Sequence, residues 1–132
     1  MYNFFRNATT FVSVFAIMFL PVSSHAAAEQ AFSAQAFKTA QDAGKPILVE
    51  IHADWCPTCK AQQPILKKLS AESAFLNVVR LKVDFDGQKD VVKQFNAKTQ
   101  STLILYKGKS EVARSIGETD EARIRALLQK AL

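Results

Sequence analysis

The stretch PILVEIHADWCPTCKAQ, residues 46–62, limits the possible folds of this chain more than any other. Ile47 to Ile51 is a short, β-branched-rich run behind a proline, the pattern of a buried strand. A few residues later WCPTCK opens a segment of helical character, so strand and helix meet at the chain's two cysteines, Cys56 and Cys59. The junction sets Cys56 at a helix amino terminus, where unpaired N–H groups and the helix dipole favour an anion. A thiolate is the nucleophile of disulfide exchange, and such a placement lowers a thiol pKa from ~8.5. Cys59 follows one helical turn later on the same face, where it can attack a mixed disulfide made by Cys56. Pro57 suits the first turn, because its missing N–H would be unpaired there anyway. Trp55 lies beside the pair and offers a flat apolar surface to a partner.

Two other uses of the cysteines compete with exchange. Zinc generally takes four Cys or His ligands, and beyond Cys56 and Cys59 the chain offers only His25 and His52. A metal centre would need a dimer sharing two pairs, or ligands from outside. An inert structural bridge is disfavoured, since a loop of two intervening residues is too small to stabilise much. Disulfide exchange is the favoured chemistry. The alternative is a binding protein, holding metal through both thiolates or acting as a redox-insensitive adaptor. The four glycines form no phosphate loop, so nucleotide chemistry is not expected.

The amino terminus sets the expected redox context. MYNFFRNATT carries Arg6 and no acid, residues 11–20 (FVSVFAIMFL) are apolar, and Pro21 leads into VSSHAAAEQ. A basic start, a short apolar run and a small-x-small end make a secretory signal peptide. Ser24-His25-Ala26 and Ala26-Ala27-Ala28 both fit a cleavage site, so the expected cut follows Ala26 or Ala28. Residues 1–26 are then signal peptide and 27–132 a single domain. An uncleaved anchor would need ~20 apolar residues, about twice this run. Export, to a periplasm or beyond, puts the cysteines where disulfides are permitted. Without Arg6 the mature part holds 16 basic and 12 acidic residues, a net charge of +4. The two signs are interleaved with no basic stripe, which argues against nucleic-acid binding and for a solvated basic surface.

Along the mature chain, EQAFSAQAFKTAQDAG from Glu29 places Phe32, Ala36, Phe37 and Ala40 on one helical face, closed by Gly44. The strand Ile47–Ile51 follows, then a helix through CKAQQPILKKLSAES that Pro64 kinks without ending. Residues 78–85 (VVRLKVDF) alternate Val79, Leu81 and Val83 against Arg80 and Lys82, a strand. Asp90 to Phe95 reads as a short helix with Val91, Val92 and Phe95 inward. TLILY and EVARSI flank a turn at Gly108 and make a hairpin. The last helix carries Ile124, Leu127, Leu128 and Ala131 at helical spacing, capped by Thr119 with Asp120 and Glu121 in its first turn. The order is helix, strand, helix, strand, helix, strand, strand, helix. That is an α/β chain with a mixed central sheet and helices on both faces.

ILVEIHADWCPTCK, the later Pro64, LKVDFD and TLILYKGKSEVARSIG together resemble the thioredoxin superfamily, over about residues 30–132. The resemblance implies the thioredoxin fold and an exported thiol–disulfide oxidoreductase with no cofactor, Cys56 as nucleophile and Cys59 as resolving thiol. Its clients would be proteins bearing disulfides or dithiols, and its electrons would come from a membrane thiol carrier. The compact domain favours a reductase, with a quinone-linked disulfide oxidase as the opposite direction. Glu50 matches the family's buried acid that exchanges protons with the resolving cysteine. An acid in an apolar strand should have a raised pKa unless paired, which suits a general acid/base. The other reading of Glu50 is an ion pair with Arg80 or Lys82 on the neighbouring strand, and both can hold at once. His52, where many members carry an aromatic residue, can tune Cys56 or relay protons but more simply packs and hydrogen-bonds, while Asp54 reads as a solvent-facing loop residue.

The resemblance also implies that Trp55, Pro57, Gln100, Ser101 and Thr102 contact substrate. Ser101 departs from the family, whose members normally carry a cis-proline there. A cis bond before a non-proline residue costs ~3–4 kcal/mol, so Gln100–Ser101 is expected to be trans. The Ser101 hydroxyl is then free to donate to the Cys56 thiolate, or the absent ring opens the sulfur face to other ligands, a metal held by Cys56 and Cys59 among them.

Overall fold

The chain is built around β2 (Pro46–His52), whose residues 47–51 are all buried and which pairs on both sides. The structure, a computed structural model, describes residues 28–132. The expected signal peptide, residues 1–26, lies outside those residues, and so does the first of its two expected cleavage sites, after Ala26. The remaining elements are β1 (Glu29–Ala31), α1 (Ala34–Asp42), α2 (Pro57–Ser70), a 3-10 turn (Ser73–Phe75), β3 (Val79–Asp84), α3 (Lys89–Gln94), β4 (Thr102–Lys107), β5 (Ser110–Ile116) and α4 (Glu121–Gln129). The sheet order is β1-β3-β2-β4-β5, with β1 and β2 parallel to β3 and the β4–β5 hairpin antiparallel.

Alternation along β2 divides the core in two. Ile47, Val49 and Ile51 point to one face, where Phe32, Phe37, Phe95 and Tyr106 pack edge to face at centroid separations of 5.2–6.1 Å. Leu48 points to the other face, against Leu66 and Leu69 of α2 and Ile124 and Leu128 of α4. Burial of this many side chains, at ~1.5–3 kcal/mol each, fixes the sheet between two helical layers. The expected mixed sheet with helices on both faces is therefore present.

Three local expectations need correction. Glu29–Ala31 is an edge strand and not the start of a helix: it pairs in parallel with Arg80–Lys82, and the Phe32 amide continues the ladder to the Lys82 carbonyl at 2.8 Å. Helix α1 begins only after Ser33, whose side chain accepts the Ala36 N–H. At α4 the cap is Asp120 and not Thr119, with the Asp120 carboxylate accepting the Arg123 N–H at 2.9 Å. As expected, α2 continues through Pro64, and Gly44 terminates α1 with φ +66.

Candidate active site

Strand β2 ends at His52, and four residues on Cys56 becomes the N-cap of α2, with extended backbone angles (φ −80, ψ 113). Its sulfur accepts the Cys59 N–H at 3.1 Å, satisfying one of the donors a helix leaves unpaired at its start. Pro57 at the first helical position has no N–H to leave orphaned. Cys56 and Cys59 are free thiols, each only 1 % exposed, in a nest with Ala53 and Phe85. Burial pushes the Cys59 thiol up to about 11, and its hydrogen bond with Cys56 adds to this, while backbone groups of Ala53 and Ser101 pull the other way. Cys59 therefore keeps its proton at neutral pH. The donor on the Cys56 sulfur is the contact that an anionic sulfur accepts.

The residues that the resemblance expects to contact substrate are placed as follows. Trp55 is 58 % exposed, and its indole N–H donates to Asp86 at 2.7 Å, which fixes the ring in place. That N–H, and then Lys89, hold the Asp86 carboxyl below the usual carboxylate range. Pro57 is exposed, Gln100 half-buried, and Ser101 and Thr102 buried. All peptide bonds among the described residues are trans, Gln100–Ser101 included. Ser101 adopts the left-handed region at φ +58, which costs a non-glycine residue ~1–3 kcal/mol. Its N–H donates to Ile51 at 2.8 Å, and its carbonyl accepts from Gly117 at 2.9 Å. The expected hydroxyl contact with Cys56 is not made: the Ser101 hydroxyl donates to the carbonyl of Gln100 at 2.6 Å, the nearest acceptor in this backbone conformation. Thr102 likewise turns its hydroxyl back to the Thr99 carbonyl at 2.8 Å.

Glu50 sits beneath α2, buried and paired. Arg80 donates to it through Nε at 2.6 Å and Nη2 at 3.0 Å, and Gln63 adds a bond at 3.1 Å. Arg80 reaches Glu29 as well, at 3.1 Å, and Glu29 holds Lys82 at 2.6 Å. The ion pair anticipated for Glu50 is thus with Arg80, and Lys82 has its own partner. Gln63 lies one helical turn beyond Cys59, so the pair is coupled to the helix that carries the thiols. His52 packs and hydrogen-bonds as expected: Nε2 lies 3.2 Å from Asp54, while Nδ1 is buried without a partner. Asp54 itself is fully solvent-facing.

Three residues at the site went unnoticed in the sequence: Asp86, Gln62 and Gln63. The glutamines had a signal, because both fall on the helix face shared by Cys59 and Leu66, where a core-facing helix normally carries apolar residues. Asp86 had none, since its approach to Trp55 depends on how β3 and β2 end. Among the described residues no group of three or more His, Cys, Asp or Glu converges as a metal site.

Comparison with known proteins agrees with this geometry. The Thioredoxin family model matches residues 26–130. A thioredoxin of Chlamydia muridarum is 37 % identical over 84 residues, 64 % of this chain and 80 % of that protein. One from Mycolicibacterium smegmatis is 34 % identical over 67 % of this chain and 80 % of its own length. Among solved structures, Trxlp from Edwardsiella tarda is 44 % identical, with a TM-score of 0.75, over 76 % of this chain and 98 % of that one.

Proposed function

The chain belongs to the thioredoxin family and is a thiol–disulfide oxidoreductase, and from that premise we propose that it works as an exported reductase of protein disulfides. The observation carrying the direction-neutral chemistry is the free, buried dithiol with the Cys59 N–H on the Cys56 sulfur. Export rests on the basic, apolar, small-residue pattern of residues 1–28.

In the forward reaction the Cys56 thiolate attacks one sulfur of a client disulfide. A mixed disulfide forms and the first client sulfur leaves as a thiolate. Cys59 then loses its proton and attacks the Cys56 sulfur, releasing the second client thiolate and closing the Cys56–Cys59 disulfide. The client gains two electrons. The resemblance assigns the Cys59 proton to Glu50, whose carboxylate Arg80 and Gln63 already engage, and a membrane thiol carrier restores the dithiol. Burial keeps Cys59 protonated at neutral pH, so Cys56 and not Cys59 is the thiol that attacks the client disulfide.

Three experiments test this reading. Cys59→Ser should accumulate covalent client adducts through Cys56 that dithiothreitol releases, and a trap that stays empty would remove the exchange mechanism. The Cys56–Cys59 potential, titrated in glutathione buffers, should lie near ~−270 mV, whereas a value near ~−120 mV would make the protein a disulfide donor. Intact mass of the protein recovered from the exported fraction should show a first residue of Ala27 or Glu29; an uncleaved Met1 there would remove the cleavage assignment, and absence of the protein from that fraction would remove export.

A further inference from the structure

The exchange chemistry above uses neither buried polar side chain of α2: Ser70 bonds back to the Leu66 carbonyl of its own helix, and Gln62 reaches outside it. Gln62, three residues after Cys59, is 3 % exposed. A carboxamide at such a position is costly to bury unless its hydrogens are bonded, and here both are directed at main-chain carbonyls. Nε2 donates to Ser101 at 3.2 Å and to Glu118 at 2.9 Å. The two acceptors belong to different loops, one leading into β4 and one following β5. The loops are joined directly by the Gly117 N–H on the Ser101 carbonyl at 2.9 Å. One amide therefore fastens both loops to the helix that carries the thiols.

The first of these loops borders the dithiol, with a Ser101 backbone group on the Cys59 thiol. Ser101 is held at φ +58, a conformation that persists for serine only where its surroundings over-determine it. Beside it Thr102 pairs with Ile116, which is two-thirds exposed and forms an apolar step next to Gly117. A protein client approaching Cys56 must touch this rim, whereas a small disulfide need not.

We propose that Gln62 is a positioning residue, whose amide holds the Ser101 and Glu118 loops in register with Cys56 so that a protein disulfide docks in line with the sulfur. The proposal rests on the exchange reading given above. It separates docking from chemistry: Gln62 serves the first and leaves the second untouched.

The test uses the mature chain, wild type and Gln62→Met, which keeps the side-chain length and removes both donors. Turnover is measured with insulin as a protein disulfide, with dithiothreitol regenerating the dithiol; stoichiometric reduction of 5,5′-dithiobis(2-nitrobenzoate) by the pre-reduced protein reports on a small disulfide, and the dithiol potential is titrated alongside. In Gln62→Met the KM for insulin should rise roughly tenfold, the scale of a lost hydrogen bond or two. Its kcat, the rate with the small disulfide and the potential should stay at wild-type values. Equal losses on both disulfides, or a shifted potential, would show that Gln62 acts on the dithiol itself and overturn the proposal. Unchanged KM would overturn it too, leaving a satisfied core amide that only supports the fold. If Gln62→Met does not fold, Gln62→Leu, which also removes both donors and adds no charge, is read by the same split. Wild-type protein that reduces neither disulfide removes the exchange reading, and this inference with it.

Discussion

At the scale of single residues the site depends on where protons and backbone angles are held. Cys59 has a pKa raised from the usual 9.0 to about 11, so the native state keeps a proton that the unfolded chain has already released. The neutral thiol thus adds stability that is fully present below pH 9 and is lost as pH rises through about 11. Urea midpoints of the reduced protein should fall across that window, and those of the disulfide form, which has no thiol to titrate, should not. Iodoacetamide at neutral pH should leave Cys59 unmodified, and peptide mass mapping should find it labelled only as pH approaches about 11. Ser101 gives a prediction against intuition. Restoring the family's proline there should not help, because proline fixes φ near −65° and removes the N–H that donates to Ile51. Ser101→Pro should cost more than ~1 kcal/mol in urea unfolding, whereas Ser101→Gly relieves the left-handed strain and should be neutral or stabilising.

Between elements, the strongest polar tie is the Glu50–Arg80 pair across β2 and β3. Arg80→Met leaves a carboxylate buried with only Gln63 for company and should cost ~3–5 kcal/mol, whereas Glu50→Leu combined with Arg80→Met should recover most of that loss. Denaturant titration of the two variants decides it. The same pair shows how far the sequence could be read. The presence of an acid in an apolar strand and two basic residues on the next strand was plain, but the partner was not. In register Glu50 stands opposite Lys82, and yet it bonds diagonally to Arg80, because Glu29 on β1 takes Lys82. Strand β1 is the reason, and it was the one element misread. Its three residues are too few to show alternation, and only the free edge of β3 makes them a strand. The cysteine junction and the hairpin were legible because their signals are local: a strand running into a helix cap, and a glycine turn between two apolar runs. The Ser101 hydroxyl was not, since its target follows from a backbone angle that residue type does not specify. The capping aspartate at α4, adjacent to the threonine expected there, is worth ~1 kcal/mol, so Asp120→Ala should lower the unfolding free energy in urea by that amount.

Across the whole molecule, the sheet has two distinct poles. The cysteines lie past the His52 end of β2. The opposite end, roughly 20 Å away for seven residues of strand, begins at Pro46, which pairs with Lys107 just before the hairpin turn. Lys107 donates to the carbonyl of Leu132 at 2.9 Å. Glu29, the first residue of β1, stands opposite Arg80, near the start of β3 and on the same distant side. The described chain therefore both enters and leaves away from its thiols. A leash attached at either end of the described residues, whether a lipid, a solid support or a fused partner, would point the reactive sulfur outward and leave its approach clear.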